Sequence, residues 1–173
     1  MKKVILVRHG KSSWADPDLD DHDRPLNPRG RRAAPAIARW LDLRGHRPNL
    51  VLCSSSLRTR QTFDGMAAAT PTLPEPRIEP GLYHAAPDQI RARLADLADA
   101  VDAVMVIGHN PGLSALTRQI SNGRVRPRCA RAFEHFPTAA AAVFVFHTDA
   151  WAEVTERTAE FVDFALPREL EHG

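Results

Sequence analysis

Arg8-His9-Gly10, Arg58 and Gly108-His109 stand far apart in the chain, yet each follows a short apolar run, directly or after a serine turn: VILV before the first, LVLCSSSL before the second, VMVI before the third. Two guanidiniums and two imidazoles gathered at one place suit phosphoryl transfer. Arginine's planar fork matches the oxygens of a phosphoryl group and stays charged at any relevant pH, so two of them can hold a dianion and the charge that develops during transfer. A histidine ring beside that group can attack phosphorus. The phosphohistidine so formed splits one hard displacement into two easier ones, with water taking the phosphoryl group in the second. Gly10 lets the main chain come close to the phosphoryl oxygens, and Lys11, Ser12 and Ser13 follow as candidate pocket residues, although serines just past a strand also serve turns and caps.

These residues need elements to bring them together. Four apolar runs read as buried strands: Lys3 to Val7, Asn49 to Cys53, Ala103 to Ile107 and Ala141 to Phe146. Helical stretches lie between them. One starts at Asn27-Pro28, with asparagine as the cap and proline in the first turn, and ends at Gly45. A second follows Ser56 through LRTRQTFDGMAAA, a third covers roughly Asp88 to Leu97, and a fourth starts after Asn110-Pro111. Alternating strands and helices predict a single α/β domain over residues 1–173, a three-layer α/β/α sandwich with a mostly parallel central sheet. In such sheets the ligand crevice lies at the carboxyl ends of the strands, where all three motifs fall. FVDFALP reads as an edge strand closed by Pro167, and the Pro-rich TPTLPEP (70–76) as a connecting loop.

The bulk composition narrows the partners. With 43% hydrophobic and 25% charged residues spread along 173 positions, the chain reads as a soluble folded protein. A net charge of +2 is too small for a dedicated nucleic-acid surface but leaves small anions as candidates. Cys53 and Cys129 lack a metal or disulfide spacing, which fits a reducing cytoplasm. After the two lysines of MKKVILVRHG only four apolar residues precede Arg8, too few for a signal core or a membrane span. The DLDDHDRP run lacks the ligand spacing and glycine turn of a hard-cation loop; it reads as a solvated loop in which Asp23 pairs with Arg24. RVRPRCAR carries four arginines in eight residues, able to steer acidic substrates or simply to be surface. Trp14 and Trp40 read as packing residues, Arg60 as solvated, and His22, His46, His135, His147 and His172 as structural.

Taken together, the motifs resemble the histidine phosphatase superfamily, which includes the phosphoglycerate mutases and acid phosphatases. RHG at Arg8 to Gly10 is similar to its signature, SSSLRTRQT puts Arg58 four residues before Thr62 as in the family's helix start, and GHNPGL at Gly108 to Leu113 is similar to its second-histidine motif. KSSW, DHDRPLNPRGRR, GLYHA and FPTAA, with the short length, resemble the compact bacterial SixA-type phosphohistidine phosphatases. The resemblance implies a phosphoglycerate mutase-like fold and catalysis without metal or cofactor, with His9 as nucleophile and Arg8, Arg58 and His109 completing the phosphate pocket.

Larger relatives carry a Glu or Asp proton donor before the last motif. Glu79, in RIEPGLYHA, sits nearest that place, with His84 and Asp88 as competitors. Mutases and sugar-phosphate phosphatases usually carry RHGE and an asparagine after the tryptophan, where this chain has Lys11 and Ala15. Only about fifty residues separate Arg58 from His109, leaving no room for a large lid. An open site would admit a side chain on another protein or a small phosphoester. A poorly defined acid favours phosphohistidine, whose phosphorus–nitrogen bond has a labile leaving group. The alternatives are a small-molecule phosphomonoesterase and, from another class, a non-catalytic phosphate-binding module.

Overall fold

The apolar runs form strands buried on both sides, and their alternating side chains divide the core in two. In the computed structural model, which describes residues 1–170, β1 (Lys2–Arg8), β2 (Leu50–Ser54), β3 (Pro76–Glu79), β4 (Ala103–Gly108), β5 (Ser121–Val125), β6 (Ala141–Phe146) and β7 (Ala159–Ala165) make one sheet. Its order is β3-β2-β4-β1-β6-β7-β5. The pairs β1–β4, β2–β3, β2–β4 and β5–β7 are parallel, while β1–β6 and β6–β7 are antiparallel.

Val4 and Leu6 of β1 point into a core shared with α3 (Pro87–Ala95) and α4 (Gly112–Ile120). Ile5 and Val7 point to the opposite core, beneath α1 (Pro28–Leu43) and α2 (Leu57–Ala69). This period-two division makes the three-layer α/β/α sandwich. The α1 start follows its sequence: Asn27 Oδ1 accepts from the Gly30 N–H at 2.8 Å, with Pro28 in the first turn. Among the described residues no helix is long and apolar enough to cross a membrane.

Two expectations need correction. The first five residues of FVDFALP lie in β7, which pairs with β6 on one side and β5 on the other, so it is an interior strand. The edges are β3 and β5, whose sequences PRIE and SNGRV are polar; such strands give no apolar run to read. β3 also begins inside the Pro-rich segment taken as pure loop, with Pro76 at its first position, where a missing N–H is tolerated.

Candidate active site

Strand register decides where the reactive side chains emerge. β1 lies beside β4 with Arg8 opposite Gly108, so His9 and His109 leave the sheet side by side, their ring centroids 5.3 Å apart. β2 flanks β4 on its other side and leads into α2. There Ser56 caps the helix, and Thr59 Oγ1 donates to the Ser54 carbonyl at 2.7 Å. Arg58, at the second position of α2, joins Arg8, His9 and His109 around one cleft of about 300 Å³.

Each of the four is held by defined partners. His9 Nδ1 lies 2.7 Å from the Gly10 carbonyl; a carbonyl only accepts, so Nδ1 carries the proton and Nε2 keeps its lone pair. Burial lowers the His9 pKa to about 4, against the Gly10 bond and with help from the nearby arginines, so the ring is neutral at pH 7. His109 Nε2 meets Ser54 Oγ at 2.7 Å, and its pKa is lowered to about 3, first by burial and then by His9 and Arg58. Arg8 donates to the Phe136 carbonyl at 3.1 Å. Burial, then the charge of Arg58, pulls the Arg8 pKa below its ordinary value. Two buried polar atoms here, Arg8 Nε and His109 Nδ1, have no hydrogen-bond partner among the described residues.

Around them stand residues that the sequence did not reveal. Arg24 lines the same cleft and is only 6% exposed. Its guanidinium covers the ring of Trp14 at 3.2 Å from the centroid and also binds the Ser12 hydroxyl and, at 3.1 Å, the Ser13 carbonyl. The carboxylate it meets is that of Asp21, at 2.9 Å; Asp23, expected as its partner, faces His22 at 3.6 Å instead. Asp21 also accepts from Arg58 Nη2 at 3.0 Å and from the Tyr83 hydroxyl, while its carbonyl accepts from Arg58 Nη1 at 2.7 Å. The Tyr83 bond and then the arginines hold the Asp21 carboxyl far below the usual range. It is a fixed anion, not a proton donor.

Lys11 and Ser12 line the cleft. Gly10 serves differently from expectation. Its N–H donates to Thr62 Oγ1 at 2.9 Å, and a Cβ there would lie 2.9 Å from the Gly30 carbonyl oxygen, so its close approach is to α1. Gly30 is tighter still: a Cβ would sit 2.3 Å from the Lys11 carbonyl oxygen. Trp14 is 73% exposed at the cleft rim rather than packed, whereas Trp40 packs against the core.

Of the three acid candidates, only His84 lines the cleft. Glu79 is a correction: it ends β3 with its carboxylate gripped by Arg93 of α3, at 3.0 Å from Nε and 2.6 Å from Nη2, and it is not among the cleft's lining residues. Asp88 lies on α3, bonded to Arg91 at 3.2 Å and Gln119 at 2.7 Å. His22 and His46 bond to Ser55 and Asp163, and His147 to Glu160; His172 lies outside the described residues. Among the described residues no cluster of three or more His, Cys, Asp or Glu side chains gathers to hold a metal ion.

Three guanidiniums around two neutral imidazoles can bind a dianion and stabilise charge building on it, while an unprotonated ring nitrogen can attack. Comparison with known proteins agrees in kind. The family model for the histidine phosphatase superfamily (branch 1) matches residues 4–151. An uncharacterized protein of Mycobacterium tuberculosis is 35% identical over 164 residues, covering 94% of this chain and all of that one. Among solved structures, one from Nakamurella multipartitia, provisionally named phosphohistidine phosphatase SixA, is 31% identical with a TM-score of 0.80, covering 96% of each chain. Another from Agrobacterium tumefaciens, provisionally named likewise, is 28% identical with a TM-score of 0.77, covering 96% of this chain and 98% of that one. The chain therefore belongs to the histidine phosphatase superfamily and is a phosphohydrolase of its first branch.

Proposed function

We propose that the protein removes the phosphoryl group from phosphohistidine on another protein, through a phosphohistidine intermediate on its own His9. The observation that carries this reading is the pair of buried, unpartnered atoms, Arg8 Nε and His109 Nδ1, beside a nucleophile whose tautomer is fixed. Buried polar atoms are nearly always satisfied. A phosphoryl group in the cleft would satisfy both, with Arg58 and Arg24 taking its remaining oxygens.

In the first step His9 Nε2 attacks phosphorus as the substrate's phosphorus–nitrogen bond breaks. The departing imidazole takes a proton, for which His84 is the donor at the cleft wall. In the second step water attacks the phosphoryl group, the bond to His9 Nε2 breaks, and inorganic phosphate leaves. His84 accepts the water's proton, so the site returns to its starting state. Among the described residues no carboxylic acid lines the cleft, which suits an imidazole leaving group better than an alkoxide that needs a strong acid.

A protein substrate is favoured by the shape beside the cleft. A second cavity of about 280 Å³ shares His84, His109 and Asn110 with it and is lined otherwise by Ala85, Pro87, Pro111 and their neighbours. Such an apolar shelf accepts a side chain next to the phosphorylated residue. The two relatives of known structure named as phosphohistidine phosphatases support the same choice.

The test is chemical trapping. Rapid quench with a phosphohistidine-bearing carrier protein should give an acid-labile phosphoenzyme that maps to His9, and His9→Ala should abolish both label and turnover. A kcat/KM higher on phosphate esters than on the carrier would overturn the substrate choice. Label on another residue would overturn the mechanism.

A further inference from the structure

Next to the catalytic cleft lies a separate cavity of about 100 Å³ with a cationic wall. Lys11 and Thr138 line both spaces, so the two are neighbours. Arg29 enters from the first turn of α1, Arg168 from the short turn after β7, and His135 from the segment before β6. Among the described residues, none that lines it is acidic. Arg29 and Arg168 are exposed, and among the described residues neither they nor Lys11 has a carboxylate partner. Glu169, beside Arg168 in the chain, is held by Arg131.

We infer that this cavity is an anion subsite, and that it receives an acidic side chain of the substrate protein close to its phosphohistidine. The inference rests on the proposed protein substrate. The physical reason is the spacing of charge. Cations placed without internal partners around a cavity of several water volumes raise the local potential for anions, and Lys11 stands where the phosphoryl pocket meets this second space. An acidic residue flanking the phosphohistidine reaches the cationic wall while its phosphoryl group lies between Arg8 and Arg58. Specificity then comes from a second charge at fixed distance from the first.

Peptides carrying phosphohistidine flanked by glutamates, compared with the same peptides carrying glutamines, test it. The native protein should favour the acidic peptide by roughly three- to tenfold in kcat/KM, the range expected for one or two partly exposed ion pairs, and the preference should shrink as salt rises. Arg29→Gln with Arg168→Gln, both exposed positions outside the lining of the catalytic cleft, should abolish the preference while leaving p-nitrophenyl phosphate turnover unchanged. Equal turnover of the two native-protein peptides, or a preference surviving in the double variant, overturns the subsite. If neither peptide is hydrolysed, the protein-substrate reading fails, and the subsite is decided by an alkyl bisphosphate against its monophosphate: a native preference lost in the double variant supports it, and no preference overturns it.

Discussion

At the scale of single residues, the cleft carries more positive charge than its two signature arginines supply, and Asp21 is what balances it. Its carboxylate touches Arg24 and Arg58 and takes a hydrogen bond from Tyr83, so it both neutralises and orients. These two roles have opposite consequences when the charge is removed. In Asp21→Asn the arginine cluster keeps its full charge, and affinity for inorganic phosphate should rise about five- to tenfold, the order of one short-range charge interaction near a surface. The same change loosens Arg58, which holds both the side chain and the carbonyl of this residue, so kcat should fall. Competitive inhibition by phosphate and kcat on p-nitrophenyl phosphate separate the two effects; weaker phosphate inhibition would mean that orientation, not charge balance, is Asp21's main contribution. Arg8, His9, Arg58 and His109 were legible in the sequence because each sits at a strand end or the helix start after one. Arg24 and Asp21 were not. They sit in a loop rich in acids with no apolar pattern, and only the fold brings it over the cleft.

At the scale of elements, the nucleophile's position depends on a seam between the loop after β1 and the two helices that cover it. Thr62 of α2 joins its sides: Oγ1 accepts from the Gly10 N–H at 2.9 Å and donates to the Arg58 carbonyl at 2.7 Å. Gly30 of α1 meets Lys11 so closely that any side chain would collide with its carbonyl. Thr62→Val keeps the shape but leaves a buried N–H without a partner, so unfolding free energy should drop by about 1–3 kcal/mol. The kcat/KM should fall as well, since Gly10 is both the residue after His9 and the acceptor that fixes its tautomer. Urea unfolding together with kinetics checks this; a variant with native stability and native kcat/KM would show that the seam is held by packing alone. The helices and central strands could be read from sequence because burial on both faces leaves continuous apolar runs. β3 and β5 could not, since edge strands of four and five mostly polar residues carry no such run, and the interior place of β7 followed from β5 pairing beside it. Glu79 shows the same limit: its distance along the chain from the last motif suited an acid, but α3 brings Arg93 across to claim it.

At the scale of the whole molecule, the buried imidazoles link the site to the stability of the fold. His9 and His109 have pKa values lowered to about 4 and about 3, chiefly by burial, whereas in the unfolded chain each titrates near its ordinary value of about 6.5. His46, lowered first by burial and restored in part by its bond to Asp163, adds to the same effect at the far side of the sheet. Between pH 6.5 and about 4 the unfolded state therefore binds more protons than the native one, so stability rises with pH across that window and is lost on acidification. Below it Asp163 joins in. Its carboxyl is held below the ordinary carboxylate value by His46 and Arg44 against the cost of burial, so its stabilisation is present above about pH 4 and disappears as it becomes protonated. The urea midpoint should be flat from pH 8 to 7, fall from about 6.5 downward, and go on falling below about 4 as Asp163 is protonated. Replacing His9 and His109 together by Gln removes two of the three titrating rings, so the slope between pH 6.5 and 4 should become shallower, with the part due to His46 remaining. Because the same burial keeps Nε2 of His9 unprotonated at pH 7, the feature that makes the ring a nucleophile is the one that makes the fold acid-sensitive. An unchanged slope in the double variant would break that link and locate the acid sensitivity between pH 6.5 and 4 in His46 instead.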